Sequence, residues 1–294
     1  MLKKNKYIDV KKTSSFLIVG TTRNCEKSIK QSFDKLKSSL GKVKKIQFLF
    51  IESDSKDKTV TILSKLSLEN ENFQYISLGS LINKYPLRTQ RLAFCRNVYV
   101  KEIRENDRYK NVNYVVVSDL DNINDYLSLN AFESCWERND WDMCSANQLG
   151  VYYDMFALRH KEWMPYDYKI LNKSLKKKNP KYKKHLHDIL YSRVKTIPTN
   201  SEWIEVESSF AGLAIYKKEC FDKSEYVGLY EDGEEICEHV PFNQKLRSYG
   251  AKLFINPRLI NANITEHSEP ATVWKIMRRK FKEKLKKIFF IKNY

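Results

Sequence analysis

Residues Tyr114 to Asn124 read YVVVSDLDNIN: four apolar residues, a serine, then two aspartates one residue apart. The apolar run is short, β-branched and unbroken, the pattern of a strand buried on both faces as in a parallel sheet. In extended chain, residues i and i+2 face the same side. Asp119 and Asp121 therefore point together while Leu120 turns towards the core. Paired negative charge at the end of a buried strand has two readings. One is a turn begun by Asp and Asn. The other is a divalent-cation site, because Mg²⁺ and Mn²⁺ take a few carboxylates and leave room for phosphate oxygens and water.

The chain on either side of this stretch alternates. "SFLIVGTTRN" (15–24) reads as a buried strand ending in polar residues, and "CEKSIKQSFDKLKSSL" follows with Ile29, Phe33, Leu36 and Leu40 at helical spacing. "KIQFLFIESDS" is a second strand running into an acidic loop, "KDKTVTILSKLSL" a second helix, "FQYISLG" a third strand and "QRLAFCRNVYVKEIREN" a third helix. Such alternation predicts an α/β fold with a mostly parallel, Rossmann-like sheet flanked by crossover helices. The strand ends at 21–24, 52–57 and 119–121 then converge on the crevice where such sheets bind ligands. After residue 130, "DMCSANQ", "YYDMFALR", "SSFAGLAIYK" and "AKLFINPRL" are strand-like, and "HVPFNQKLRSYG" is a helix closed by Gly250. Residues 166–195 form a Lys-rich insertion.

The 294 residues, 42% of them hydrophobic, suffice for one large α/β domain. No apolar run approaches the roughly 18 residues that span a bilayer, and "FLIVG" is too short for a signal-peptide core. The expectation is a cytoplasmic protein. Six cysteines without CxxC spacing fit reduced thiols rather than a zinc site or a disulfide framework. The net charge is +17, and residues 161–195 and 271–294 each carry +8 of it, leaving the remainder at +1. Two basic segments on a neutral body, without a nucleic-acid recognition motif, argue against a nucleic-acid partner.

Taken together, these residues resemble GT-A-fold glycosyltransferases of the large family-2-like group. "RTQRLAFCRN" and "YYDMFALR" also resemble capsule-associated mannosyltransferases. The resemblance spans residues 15–268, which implies a glycosyltransferase domain at 1–268 and a tail at 269–294. It implies a metal-dependent transferase that takes a UDP- or GDP-sugar donor and holds Mn²⁺ or Mg²⁺ on Asp119 and Asp121, Asp119 also meeting the donor. It brings Thr21 and Arg23 of "VGTTRN" to the nucleotide. It turns Glu52 of "ESDSKDKT" to the base or ribose, while Asp57 orders that loop or caps the following helix. Arg96 and Asn97 match an Arg-Asn pair on the helix before the aspartates. Glu238 and His239 stand where the family has Glu-Asp, so the base that activates the acceptor hydroxyl is Glu238, His239 or neither. His267, after the last strand, matches a histidine that joins the metal in several such enzymes.

Further candidates come from the residues themselves. Arg88 and Arg91 offer paired donors to phosphate oxygens, against a solvated helix face as the alternative. Asp154 is a carboxylate in an apolar context, which requires either an ion pair, with Arg159 the nearest choice, or a cleft where it meets a sugar. Trp136, Trp141 and Trp203 are core residues or a sugar-stacking platform. In "VWKIMRRKFKEKLKKIFFIKNY", Trp274, Met277, Phe281, Leu285 and Ile288 form one apolar stripe opposite lysines and arginines. That pattern suits a helix lying on an anionic membrane surface at the inner face, with a surface-glycan or lipid-linked acceptor. The competing reading is a non-catalytic basic α/β protein that binds nucleic acid or membrane. A nucleotidyltransferase is disfavoured because "VGTTRN" has no Gly-rich phosphate loop.

Overall fold

The computed structural model describes residues 10, 12–167, 171, 174 and 193–263. Most of the Lys-rich insertion, His267 and the whole of 269–294 lie outside the described residues. Eight strands, β1 (Ser15–Thr22), β2 (Lys45–Glu52), β3 (Phe73–Ser77), β4 (Tyr114–Ser118), β5 (Met143–Gln148), β6 (Ile204–Glu205), β7 (Leu213–Lys217) and β8 (Leu253–Ala262), form one sheet. Their order is β3-β2-β1-β4-β7-β5-β8-β6. β3, β2, β1 and β4 run parallel to one another, β7 runs antiparallel between β4 and β5, β5 and β8 are parallel, and β6 is an antiparallel edge. The mostly parallel sheet expected from the alternation is therefore present.

The helices sit where the 3.6-residue spacing puts them. α1 (Ile29–Leu40), α2 (Thr59–Glu69) and α3 (Arg88–Glu105) make the crossovers of the parallel half, and α4 (Leu129–Glu133), α5 (Cys220–Lys223) and α6 (His239–Ser248) follow. α1 buries Ile29, Phe33, Leu36 and Leu40, the stripe read from the sequence. Phe33, Phe48, Phe50 and Phe73 meet edge-on and tilted beneath it, arrangements that add to simple area burial. The segment "YYDMFALR" departs from expectation: residues 155–157 form a turn, and of its residues only Arg159 makes a bridge, an isolated one to Ser208. Its apolar residues Met155, Ala157 and Leu158 are buried, but as loop packing, so apolar content there misreads as a strand.

The loops at the carboxyl ends of β1, β2 and β4 share one device. Asn24, Asp54 and Asn122 each have positive φ, at 53°, 58° and 69°. Asn and Asp tolerate the left-handed region because their short side chains bond locally, so these sharp turns form without glycine. Asn24 also ties its loop to the next, its Oδ1 accepting from Lys56 N at 2.8 Å while its own N donates to Ser55 Oγ at 3.0 Å. Gly20 is needed for a different reason. A Cβ there would lie 2.6 Å from the carbonyl oxygen of Ser118 and 2.8 Å from the side chain of Leu120. Gly20→Ala should push β1 from β4 and lower stability by about 1–3 kcal/mol, read as a reduced denaturation midpoint at unchanged m-value.

Candidate active site

A cavity of about 720 Å³ opens at the carboxyl ends of β1, β2 and β4. α3 supplies one wall: Arg88, Arg91, Leu92, Cys95 and Arg96 all line it, the i, i+3, i+4, i+7, i+8 set of a single helical face. Thr21 and Arg23 come from the β1 end, Asp54 from the β2 loop, and Asp119 and Asp121 from the β4 end. Asp154, Phe210, Glu238 and His239 enclose the remainder. Five carboxylates (Asp54, Asp119, Asp121, Asp154, Glu238) and four guanidinium groups (Arg23, Arg88, Arg91, Arg96) thus face one space.

Arg96 organises the far wall. It is 2% exposed, and its Nε donates to Glu238 Oε1 at 2.9 Å. Nη1 donates to the Tyr99 hydroxyl at 3.3 Å, and Nη2 lies 3.6 Å from Asp119 Oδ1. The guanidinium carbon also stands 5.4 Å from the Phe210 ring centre and 5.6 Å from that of Tyr226, within cation–π range. Phe210 in turn stacks on the His239 ring at 3.8 Å and 18°. Both nitrogens of His239 are buried and have no hydrogen-bond partner among the described residues, and Nε2 is 3.8 Å from Glu238 Oε1. Burial and the Arg96 charge hold its pKa well below 6.5, so the imidazole is neutral.

Other expected site residues face elsewhere. Glu52 is 2% exposed and absent from the cavity wall: it accepts from Ser55 N at 2.9 Å and from the Ser77 hydroxyl. The carboxylate that the sequence offers to a base or ribose is spent on its own loop, and Asp54 is the acid that reaches the wall. Asp57 also stays outside the cavity, accepting from Thr59 N and Oγ1 at the start of α2 and from Glu26 N across the neighbouring loop. Asn97 clamps a backbone, donating to Tyr226 O at 2.9 Å and accepting from Tyr226 N at 2.8 Å. Arg91 reaches the wall but commits Nη1 to the carbonyls of Tyr85 and Pro86. Arg159 pairs with Asp167 rather than Asp154. Trp136 and Trp141 are core residues, and Trp203 packs on Phe254 and Arg138. None of the three tryptophans lines the cavity.

Burial, with the carboxylates of Asp121, Asp154 and Glu238 nearby, pushes the Asp119 carboxyl up to about 7 despite Arg96. Burial is the larger cause and the neighbouring carboxylates add to it, both disfavouring the charged form. Among the described residues no group of three or more His, Cys, Asp or Glu is arranged to hold a metal ion. The two carboxylates at the β4 end are hard oxygen donors of the type Mg²⁺ and Mn²⁺ accept when phosphate and water complete the shell. The expected third ligand, His267, lies outside the described residues.

Two asparagines that sequence reasoning passed over hold the β4 loop in place. Asn124 Nδ2 donates to Ser118 Oγ, Asp119 O and Gly212 O, while its Oδ1 accepts from Asn261 Nδ2 at 2.8 Å. Asn124 was visible in the quoted stretch as a turn former, but Asn261 and Phe210 carry no local signal. Removing the Arg96 charge leaves the buried Glu238 carboxylate without its cation. Arg96→Met should cost about 3–5 kcal/mol of stability, the usual penalty for breaking a buried pair from one side. Chemical denaturation of the purified variant measures this directly.

No protein-family model and no curated protein matches the sequence. Solved structures do resemble the fold. A mannosyltransferase from Pyrobaculum calidifontis, in complex with GDP-Man and Mn²⁺, aligns over 90% of this chain and 60% of its own at 13% identity and a TM-score of 0.50. Residues 1–349 of S. aureus TarS with UDP-GlcNAc align over 87% of this chain and 61% of that one, at 14% identity and a TM-score of 0.48. Glucosyl-3-phosphoglycerate synthase from Mycobacterium tuberculosis with UDP aligns over 85% and 69%, at 10% identity and a TM-score of 0.42. The chain spans 60% of the length of the mannosyltransferase and 61% of the TarS fragment. At 13% identity the likeness to the mannosyltransferase is one of fold: a GT-A type α/β domain with its cavity at the carboxyl ends of the parallel strands.

Proposed function

We propose that the chain is a metal-dependent glycosyltransferase that moves a sugar from a nucleoside diphosphate donor to a glycan or lipid-linked acceptor. The observation that carries this reading is the meeting of Asp119 and Asp121 with Arg23, Arg88 and Arg91 in one cavity at the β1, β2 and β4 ends. A nucleoside diphosphate needs both signs of partner: cationic forks for its oxygens and carboxylates to hold the cation that accompanies it. The P. calidifontis mannosyltransferase, similar in fold, was crystallised with GDP-Man and Mn²⁺, which supports the same ligand pair here.

Asp119 and Asp121 would hold the Mn²⁺ or Mg²⁺, which when bound neutralises charge developing on the departing diphosphate. Thr21 and Arg23 flank the nucleotide from the β1 side. Asp54, in place of the more buried Glu52, is the acid on the base side. A lipid-linked acceptor at the inner membrane face rests on the basic, apolar-striped sequence of 271–294. Among the described residues no helix is long and apolar enough to cross a membrane.

A thermal-shift screen of UDP- and GDP-sugars with and without Mn²⁺ tests the reading. A ligand that binds only the folded chain must raise the melting temperature, and the expected result is a metal-dependent rise with one nucleotide. Asp121→Asn should abolish that metal dependence and transfer while leaving the melting temperature of the unliganded protein unchanged. A chain that responds to no nucleotide sugar, but binds nucleic acid with steep salt dependence, would instead be the basic binding protein.

A further inference from the structure

The site holds three groups in reach of an acceptor, and the structure separates them. Glu238 is 3% exposed and gives Oε1 to Arg96, so its negative charge is committed to holding a buried cation. His239 has open nitrogens, but both are buried, with its ring flat against Phe210. Asp154 differs from both. It lines the cavity, and among the described residues it has no ion-pair partner, because Arg159 pairs with Asp167. Its two oxygens are held by backbone alone: Oδ1 accepts from Ala157 N at 3.1 Å and Oδ2 from Ala211 N at 2.8 Å. Each carboxylate oxygen carries a second acceptor position, so a fixed carboxylate retains lone pairs free to take a proton.

The grip on Asp154 is itself strained. Ala211 has φ of 59°, and it is the one positive-φ non-glycine among the described residues that is not Asn or Asp. Alanine has no side chain to offset that conformation. It persists because Ala211 O accepts from Asn261 Nδ2 at 2.8 Å and Gln148 Nε2 at 3.5 Å. Backbone strain of this kind is held in place where a site needs a group aimed. The N–H that the kink presents goes to Asp154.

We propose that Asp154 is the general base of a single-displacement, inverting transfer, an inference that rests on the glycosyltransferase reading above. The acceptor hydroxyl oxygen attacks the anomeric carbon of the donor and its proton passes to the Asp154 carboxylate. The new carbon–oxygen bond forms as the bond from that carbon to the diphosphate oxygen breaks, and the electron pair leaves with the nucleoside diphosphate. One displacement at one carbon inverts its configuration. Burial and Glu238 raise the proton affinity of Asp154, while the N–H bonds of Ala211 and Ala157 and the charge of Arg159 restrain the rise. The Asp154 charge in turn raises the pKa of four titratable groups that face it, Asp119, Tyr152, Tyr153 and Cys237. A base of raised pKa is better matched to neutral pH than an ordinary aspartate.

Water can stand in for the unknown acceptor. Full-length protein with Mn²⁺ and GDP-mannose or UDP-N-acetylglucosamine, whichever binds by calorimetry, is assayed for release of the nucleoside diphosphate and for the anomer of the freed sugar by NMR. Asp154→Asn should lower release at least a hundredfold with donor affinity within threefold of the parent, and the parent should free the inverted anomer. Asp154→Gly should recover release with added formate, at a melting temperature that formate does not change. Hydrolysis by Asp154→Asn within threefold of the parent, or a retained anomer, overturns the assignment. A fall in melting temperature and donor affinity together, without formate rescue, makes Asp154 a structural tie and also overturns it. A parent chain that binds neither nucleotide sugar overturns the transferase reading itself, a result distinct from both.

Discussion

A guanidinium buried at 2% exposure must be surrounded by anions and acceptors, and Arg96 takes them from two distant parts of the chain and from Tyr99 on its own helix. Glu238, 142 residues away and just ahead of α6, takes its Nε, and Asp119 at the end of β4 sits 3.6 Å from Nη2. The face of α3 that carries Arg88, Arg91 and Cys95 is thereby fixed against both elements. Burying such a group is costly, and the pairing with its hydrogen bonds offsets the cost rather than yielding a surplus. The arrangement gains definition: β4, α3 and α6 have one relative position in which no charge is left alone. Phe210 completes it, lying between the guanidinium and the neutral His239 ring.

The same logic separates the acids. Glu52 ends β2 and Asp54 and Asp57 lie in the loop after it, yet backbone donors and hydroxyls consume Glu52 and Asp57. Asp54 is held too, its Oδ1 accepting from Leu81 N and Ile82 N, but the turn at positive φ brings it to the cavity wall. Asp119 keeps a raised pKa because burial, and after it the neighbouring carboxylates, outweigh the charge of Arg96. Asp119 and Asp121 stand at the β4 end of the cavity and Arg23, Arg88 and Arg91 elsewhere on its wall, so the space presents both signs of charge.

Much of this was legible from local pattern. The unbroken β-branched run before Asp119 and the apolar spacing in α1 mark strand and helix, because burial on both faces of a sheet leaves a short continuous apolar run and burial along one helix stripe a period of 3.6. "YYDMFALR" failed by the same measure: apolar residues packed as a loop have no period to show. Asp154, within that segment, was recognised as an expensive carboxylate, but Arg159 beside it was an attractive and wrong partner. Asn261 and Phe210 looked like ordinary residues of a strand and a loop.

The sequence by itself therefore determined the α/β alternation and the polar ends of β1, β2 and β4, Asp119 and Asp121 following the last of them. Those properties follow from the geometry of a single strand or helix and need no knowledge of what lies opposite. Only the tertiary structure decided which charged groups face the cavity and which are spent on their own loops. Hydrogen bonds between residues such as Asn124 and Asn261, 137 positions apart, or Arg96 and Glu238 form only when packing brings the elements together. A side chain's partner is chosen by distance in space, and no local period encodes it.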